Sequence, residues 1–203
     1  KIGALDFDEE CALLSDVRQI YSADEIELRL DANGAFSAEN VMARLERLAQ
    51  FDIFALEQPI KPRQQLSLAD LCAHSPIPIA LDEELIGLKT NEEKKALLEA
   101  VRPHYLVLKP SLLGGFAAAE QWIKLAESLN IGWWVNSMLE SNVGLNAICQ
   151  WISTFENALT QGLGTGQLYQ NNIPSPLRVE SAGLVYDSRQ SWDVSNINEL
   201  FKT

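Results

Sequence analysis

The sequence predicts an α/β fold in which parallel strands, each followed by a helix, close into a barrel. Three observations predict it. Short apolar runs alternate with helix-like stretches along most of the 203 residues, the signature of βαβ units. A polar residue ends nearly every apolar run, and these ends recur at a steady interval. Asp31, Glu57, Asp82, Lys109, Asn136 and Gly162 stand 26, 25, 27, 27 and 26 residues apart. An open doubly wound sheet would gather its chemistry at one switch point behind an early Gly-rich loop. No G-x-G-x-x-G follows an early strand, and the Gly-dense stretch Gly162–Gly166 comes late. A barrel brings all its strand C-termini to one mouth and so accounts for polar ends on every strand.

Taken in order, Lys1–Ala4 reads as the end of a strand entering a loop. Phe7–Ile20 carries Phe7, Cys11, Leu14 and Val17 at helical spacing,. Ile26–Asp31 alternates apolar and charged residues, as a strand does. Ser37 is a helix cap, with Val41, Leu45, Leu48 and Ala49 as the buried face behind it,. Strand Ile53–Leu56 ends at Glu57, and helix Gln64–Ala73 follows. Pro76 and Pro78 introduce strand Ile79–Leu81, and Thr90 caps helix Asn91–Ala100. Strand Tyr105–Leu108, helix Phe116–Leu129, strand Ile131–Val135, helix Glu140–Phe155 and a short strand Ala158–Gln161 complete the series. The strands are short and apolar, as expected where both faces are covered. About seven strands are legible, so one barrel strand is expected upstream of Lys1, and the chain has no initiator Met. Residues 1–176 are the expected barrel domain. A possible strand pair around Gly183 and a polar tail make 177–203 a separate C-terminal segment.

Composition narrows the class. A net charge of −12 argues against a phosphate-backbone partner, which calls for basic patches. No apolar run approaches the ~20 residues of a membrane helix, and no signal peptide is visible. Cys11, Cys72 and Cys149 lack metal-like spacing and read as reduced core thiols of a cytoplasmic protein,.

The strand ends carry the chemistry. Asp31, Glu57 and Asp82 fall on three consecutive strands, and in a barrel they face one space. A single strand-end Asp is often only the cap of the next helix, but three in succession point elsewhere. Carboxylates held together need a cation. Oxygen-only ligands select a hard ion, Mg²⁺ with Mn²⁺ as the alternative. Lys1 precedes the three and Lys109 follows them, so a lysine flanks the set on each side. An ammonium beside a dication is disfavoured, which suits a lysine to act as a general base. The competing readings are a solvated terminal residue for Lys1 and an ion pair with Glu83 or Glu84 for Lys109. Two lysines around a metal suit proton removal next to a carboxylate.

These residues resemble the enolase superfamily, and within it the o-succinylbenzoate synthases of menaquinone biosynthesis. The matching stretches are RLDANGAF (29–36), LEQP (56–59), ALDEEL (80–85), LKPSLLGG (108–115), NSMLESNVGL (136–145) and GLGTGQL (162–168). The resemblance implies a (β/α)₇β TIM-type barrel beneath an N-terminal capping domain, here N-terminally incomplete, with 177–203 returning to the cap. It implies Asp31, Glu57 and Asp82 as metal ligands, Lys1 and Lys109 as the catalytic pair, and Arg29, Asn33, Asn136, Ser137 and Gly162 on the substrate side. Arg29 is expected inside the barrel one layer below Asp31. The implied reaction is a metal-assisted syn β-elimination of water from a cyclohexadiene hydroxy-carboxylate. Lys1 takes the α-proton and returns it to the leaving hydroxyl, while Lys109 stabilises the enediolate from the other face.

N-acylamino acid racemases, muconate-lactonising enzymes and dipeptide epimerases share the two lysines. Dipeptide epimerases usually place an Asp-x-Asp after the last strand, where this chain reads GLGTGQL. His74 and His104 lie away from strand ends and read as structural, and Trp122, Trp133 and Trp134 as core packing. Glu140 reads either as an organiser of Lys109 or the metal shell, or as a first-turn helix acid. A non-catalytic barrel fragment is the reading from a different class. The expected partner is a small-molecule carboxylate, with no nucleic acid and no membrane.

Overall fold

The computed structural model describes residues 1–170, 172–180, 183–193 and 195. Five strands, β1 (Leu28–Asp31), β2 (Ile53–Glu57), β3 (Ile79–Leu81), β4 (Tyr105–Leu108) and β5 (Gly132–Val135), lie in that order in one sheet. β1 to β4 pair in parallel with their neighbours. Helices α1 (Phe7–Ile20), α2 (Val41–Leu48), α3 (Gln65–His74), α4 (Asn91–Val101), α5 (Pro110–Leu113), α6 (Phe116–Ser128) and α7 (Asn142–Ile152) separate them. The alternation read from the sequence is therefore present strand by strand. A hairpin, β6 (Leu177–Glu180) and β7 (Gly183–Tyr186), follows and is antiparallel, matching the strand pair expected around Gly183.

The chain divides into two compact units. The first comprises 1–108 and 120–133, the second 109–119 and 134–203. In the first unit every residue of β3 is buried, and Leu45, Leu48, Leu56, Ile79, Leu81 and Leu106 are wholly inaccessible. Such two-sided burial is why these strands are runs of aliphatic residues rather than alternating ones. α4 forms because Thr90 closes a capping box with Glu93, each meeting the other's free backbone N–H,. α1 begins where the Asp6 carboxylate accepts the N–H of Asp8 at 2.9 Å. Arg18 near its end donates to the carbonyls of Phe51 and Ile26 at 2.8 and 2.9 Å.

Some elements differ from expectation. β1 starts at Leu28, not Ile26. α2 starts at Val41 rather than behind Ser37, because the Asn40 side chain accepts from the Ser37 N–H and holds 37–40 as a turn. α7 begins at Asn142, since Glu140 is committed to side-chain bonding in the loop before it. Strand Ala158–Gln161 does not form. Gln161 uses its side-chain Oε1 to accept the Val135 N–H at 2.7 Å, and only a single bridge, Asn136 with Gly162, continues the pattern.

His104 accepts the Ile79 N–H on Nδ1 at 3.1 Å, and burial lowers its pKa, so its role is structural as expected. Trp122, Trp133 and Trp134 are core residues. The three cysteines are free, with Cys11 and Cys72 buried and Cys149 half-buried. Among the described residues no helix is long and apolar enough to cross a membrane.

Candidate active site

Strand register positions the acids of the first unit. Asp31 and Glu57 are partners across β1 and β2, and Glu57 is the partner of Ala80, two residues before Asp82. Residues in register on parallel strands project to the same side, about 4.8 Å apart. The three carboxylates thus share one rim at the strand C-termini. Glu57 and Asp82 are buried, at 6% and 3% exposure, and the Asp31 side chain is 16% exposed.

Lys1 lies beside this rim. Its backbone neighbour Ile2 donates N–H to the Asp31 carbonyl at 2.9 Å, the bond expected of a strand alongside β1. The Lys1 ammonium contacts Asp31 Oδ2 and donates to Asn33 Oδ1 at 2.6 Å. Asn33, in the left-handed region at φ 42°, donates its own Nδ2 to Glu83 Oε1 at 2.8 Å. Lys1, Asp31, Asn33 and Glu83 form one hydrogen-bonded chain. Arg29 pairs with Glu27 at 2.7 Å and lies 4.9 Å from the centroid of the Phe54 ring.

Gln58 carries the loops of this rim, a role that sequence reasoning missed. It is wholly buried and sits at φ 39°. Its Oε1 accepts the N–H groups of Asp82 and Glu84, both at 3.2 Å, and its Nε2 donates to the Ile60 carbonyl at 3.0 Å. One amide side chain therefore fastens the loop after β3 to the loop after β2. The signal was its place in LEQP, directly after a strand-end acid. Glu84, buried and capping the Arg63 N–H at 2.8 Å, has its pKa raised by burial.

The second unit holds the remaining candidates. Gly162 N–H donates to the Val135 carbonyl and the Gly162 carbonyl accepts from Ser137 N–H, at 2.8 and 3.0 Å. A Cβ on Gly162 would stand 2.0 Å from Asn136 Oδ1, so a larger residue there requires the Asn136 side chain to move. Glu140 joins two loops. Its Oε1 accepts from Ser111, two residues past Lys109, and its Oε2 accepts from Ser137 Oγ at 2.7 Å and Met138 N–H at 2.8 Å. Burial alone would raise the Glu140 pKa, but these bonds hold it below the usual carboxylate value. Lys109 caps the short helix α5, its carbonyl accepting from Leu112 and Leu113.

The donor set at the rim of the first unit is oxygen only, which suits a hard divalent ion. An ammonium already lies against Asp31, so the rim attracts positive charge. Register brings Asp31, Glu57 and Asp82 to a common edge without drawing them into a closed cage. Among the described residues no three His, Cys, Asp or Glu side chains are grouped closely enough to hold a metal.

A parallel β/α sheet with acids and a lysine at its strand ends is the arrangement of an enolase-type β/α domain. The chain belongs to the enolase C-terminal domain-like family, whose model matches residues 1–189. It is 57% identical over 180 residues to an o-succinylbenzoate synthase of Desulfotalea psychrophila, covering 89% of this chain and 49% of that protein. The crystal structure of MenC from the same organism superposes with a TM-score of 0.85 at 56% identity, over 88% of this chain and 50% of that one. An N-succinylamino acid racemase of Thermus thermophilus is 35% identical over 132 residues, 65% of this chain and 34% of that protein. The chain thus spans about half the length of the two Desulfotalea proteins and about a third of the racemase.

Proposed function

We propose that the protein carrying this chain is an o-succinylbenzoate synthase. It would eliminate water from 2-succinyl-6-hydroxy-2,4-cyclohexadiene-1-carboxylate in menaquinone biosynthesis. The observation that carries the chemistry is the Lys1 ammonium lying against Asp31 and Asn33 at the rim in register with Glu57. A proton carrier there stands beside the groups that would hold a carboxylate substrate. Identity of 57% to a synthase supports the choice of substrate. The stretch GLGTGQL at 162–168 carries no acid to bind an ammonium group, which disfavours a dipeptide substrate.

Asp31, Glu57 and Asp82 would hold Mg²⁺ (or Mn²⁺), which when bound supplies Lewis-acid stabilisation to the substrate carboxylate. Lys1 takes the α-proton onto Nζ. As the C–O bond breaks, it returns that proton to the departing hydroxide, which leaves as water on the same face. The ring becomes aromatic, so the demanding step is the first, and Lys109 would oppose its developing negative charge electrostatically. Arg29, Asn33, Asn136, Ser137 and Gly162 are the proposed substrate side. We further propose 1–176 as the barrel segment, 177–203 as a segment returning to a capping domain, and a cytoplasmic enzyme with no nucleic-acid or membrane partner.

The test is turnover of the hydroxy-acid by the full-length protein with Mg²⁺, repeated with Lys109→Ala and Asp82→Asn. Loss of turnover in both variants is expected. Full activity in either overturns its proposed role. An inert wild type that racemises N-acylamino acids moves the protein to the racemases.

A further inference from the structure

Lys1 leads directly into the bend at Gly3–Leu5. Ala4 and Leu5 are exposed, the Leu5 side chain included. Two contacts fix this backbone. Ile2 is buried and bonded to the Asp31 carbonyl, and the Gly3, Ala4 and Leu5 amides all donate to Glu10. Its Oε1 accepts all three, at 2.6, 3.0 and 3.1 Å. Gly3 makes the convergence possible, with φ +91° and no room for a Cβ, which would lie 2.5 Å from Ala35 Cβ. Successive N–H groups turned inward in this way form a nest for an anion, and here the anion is the protein's own carboxylate.

Glu10 is not needed to cap α1, because Asp6 already does so. It is 6% exposed, and its Oε2 is buried without a hydrogen-bond partner, a desolvation cost that helix formation does not require. We infer that Glu10 is a positioning residue: its carboxylate clamps the backbone of Gly3–Leu5 and so holds Lys1 in line for proton transfer. The inference rests on the reading of Lys1 as the base. Misplacing a reacting group by about 1 Å costs on the order of 10²-fold in rate, so a loosened clamp acts on kcat while leaving substrate binding in place.

The experiment compares wild type, Glu10→Ala and Glu10→Gln in the full-length protein. It reads kcat and KM, the Tm, and amide hydrogen exchange of a peptide spanning residues 3–5 without substrate. For Glu10→Ala the expected result is faster exchange and a kcat lower by roughly 10- to 100-fold, with KM within about twofold. Glu10→Gln, which keeps an acceptor oxygen, recovers most of the kcat and the protection. Faster exchange with wild-type kcat in Glu10→Ala overturns the inference. So do parallel losses of Tm, kcat and KM in both variants, the mark of a structural residue. Lys1→Ala separates the two readings: wild-type kcat there refutes Lys1 as the base and the positioning role with it, while the exchange result still reports the clamp by itself.

Discussion

Gln58 and Asp82 are joined by a buried hydrogen bond, the Asp82 N–H donating to Gln58 Oε1 at 3.2 Å, and the same oxygen serves Glu84. Gln58 itself follows Glu57, so one side chain ties two of the three rim acids together through their backbones. Gln58→Leu removes the acceptor and leaves two N–H groups unmet, each costing about 1–3 kcal/mol when buried. At about 2–4 °C per kcal/mol for a domain of this size, the variant should melt measurably lower. If the rim holds Mg²⁺ as proposed, the concentration needed for half-maximal activity should rise by roughly 10- to 100-fold, the usual effect of losing a residue behind metal ligands. Calorimetry and a Mg²⁺ titration of activity check the two halves separately.

Gly162 and Asn136 give a second prediction, about shape. Since a Cβ at 162 would overlap Asn136 Oδ1, Gly162→Ala should cost about 1–3 kcal/mol, the range for overpacking. Gly162→Ala combined with Asn136→Ala should recover much of that loss. Denaturant melts of the two single variants and the double variant measure the coupling, expected well above the few tenths of a kcal/mol seen between independent sites. Additive losses would contradict the contact.

The strand order and the rim were legible in the sequence because they depend on patterns that burial enforces. The interval from Asp31 to Glu57 to Asp82 could be counted, and the register of β1 on β2 then set Asp31 beside Glu57. What stayed hidden was polar and local. Glu10 lies in a helix whose apolar spacing is plain in the sequence, yet apolar spacing gives no reason to bury a glutamate. Gln58 stands in the LEQP stretch, but its role depends on a left-handed backbone that no side-chain pattern encodes. Helix α5, four residues long, is shorter than any window in which periodicity can be counted,. The expected strand at 158–161 failed because a side chain, Gln161, took the place of a backbone partner.

The thiols yield a third prediction. Burial pushes the Cys72 thiol up to about 12 and the Cys149 thiol up to about 11, and raises Cys11. The thiolate is the reactive form, so all three should react slowly with a disulfide reagent at pH 8 in the folded protein. In denaturant the same three should react at once, followed by mass spectrometry of the labelled peptides. A fast equivalent in the native state would contradict the burial described for these side chains.

Glu140 makes the last prediction, through pH. Burial works against its charged form, but Ser111, Ser137 and the Met138 amide outweigh it and lower the folded pKa. A carboxylate depressed in the folded state stabilises the protein above its unfolded pKa, and that contribution fades as pH falls through the folded value. Glu140→Gln should therefore melt below wild type at pH 6–8, with the gap closing on acidification below about 4.3, the ordinary glutamate value. Because Glu140 spans Ser111, beside Lys109, and Ser137, beside Asn136, the same substitution should loosen both loops. Hydrogen exchange at 109–113 and 136–139 should rise together at neutral pH. A gap in Tm that stays constant from pH 7 to pH 3 would mean that Glu140 contributes by packing alone.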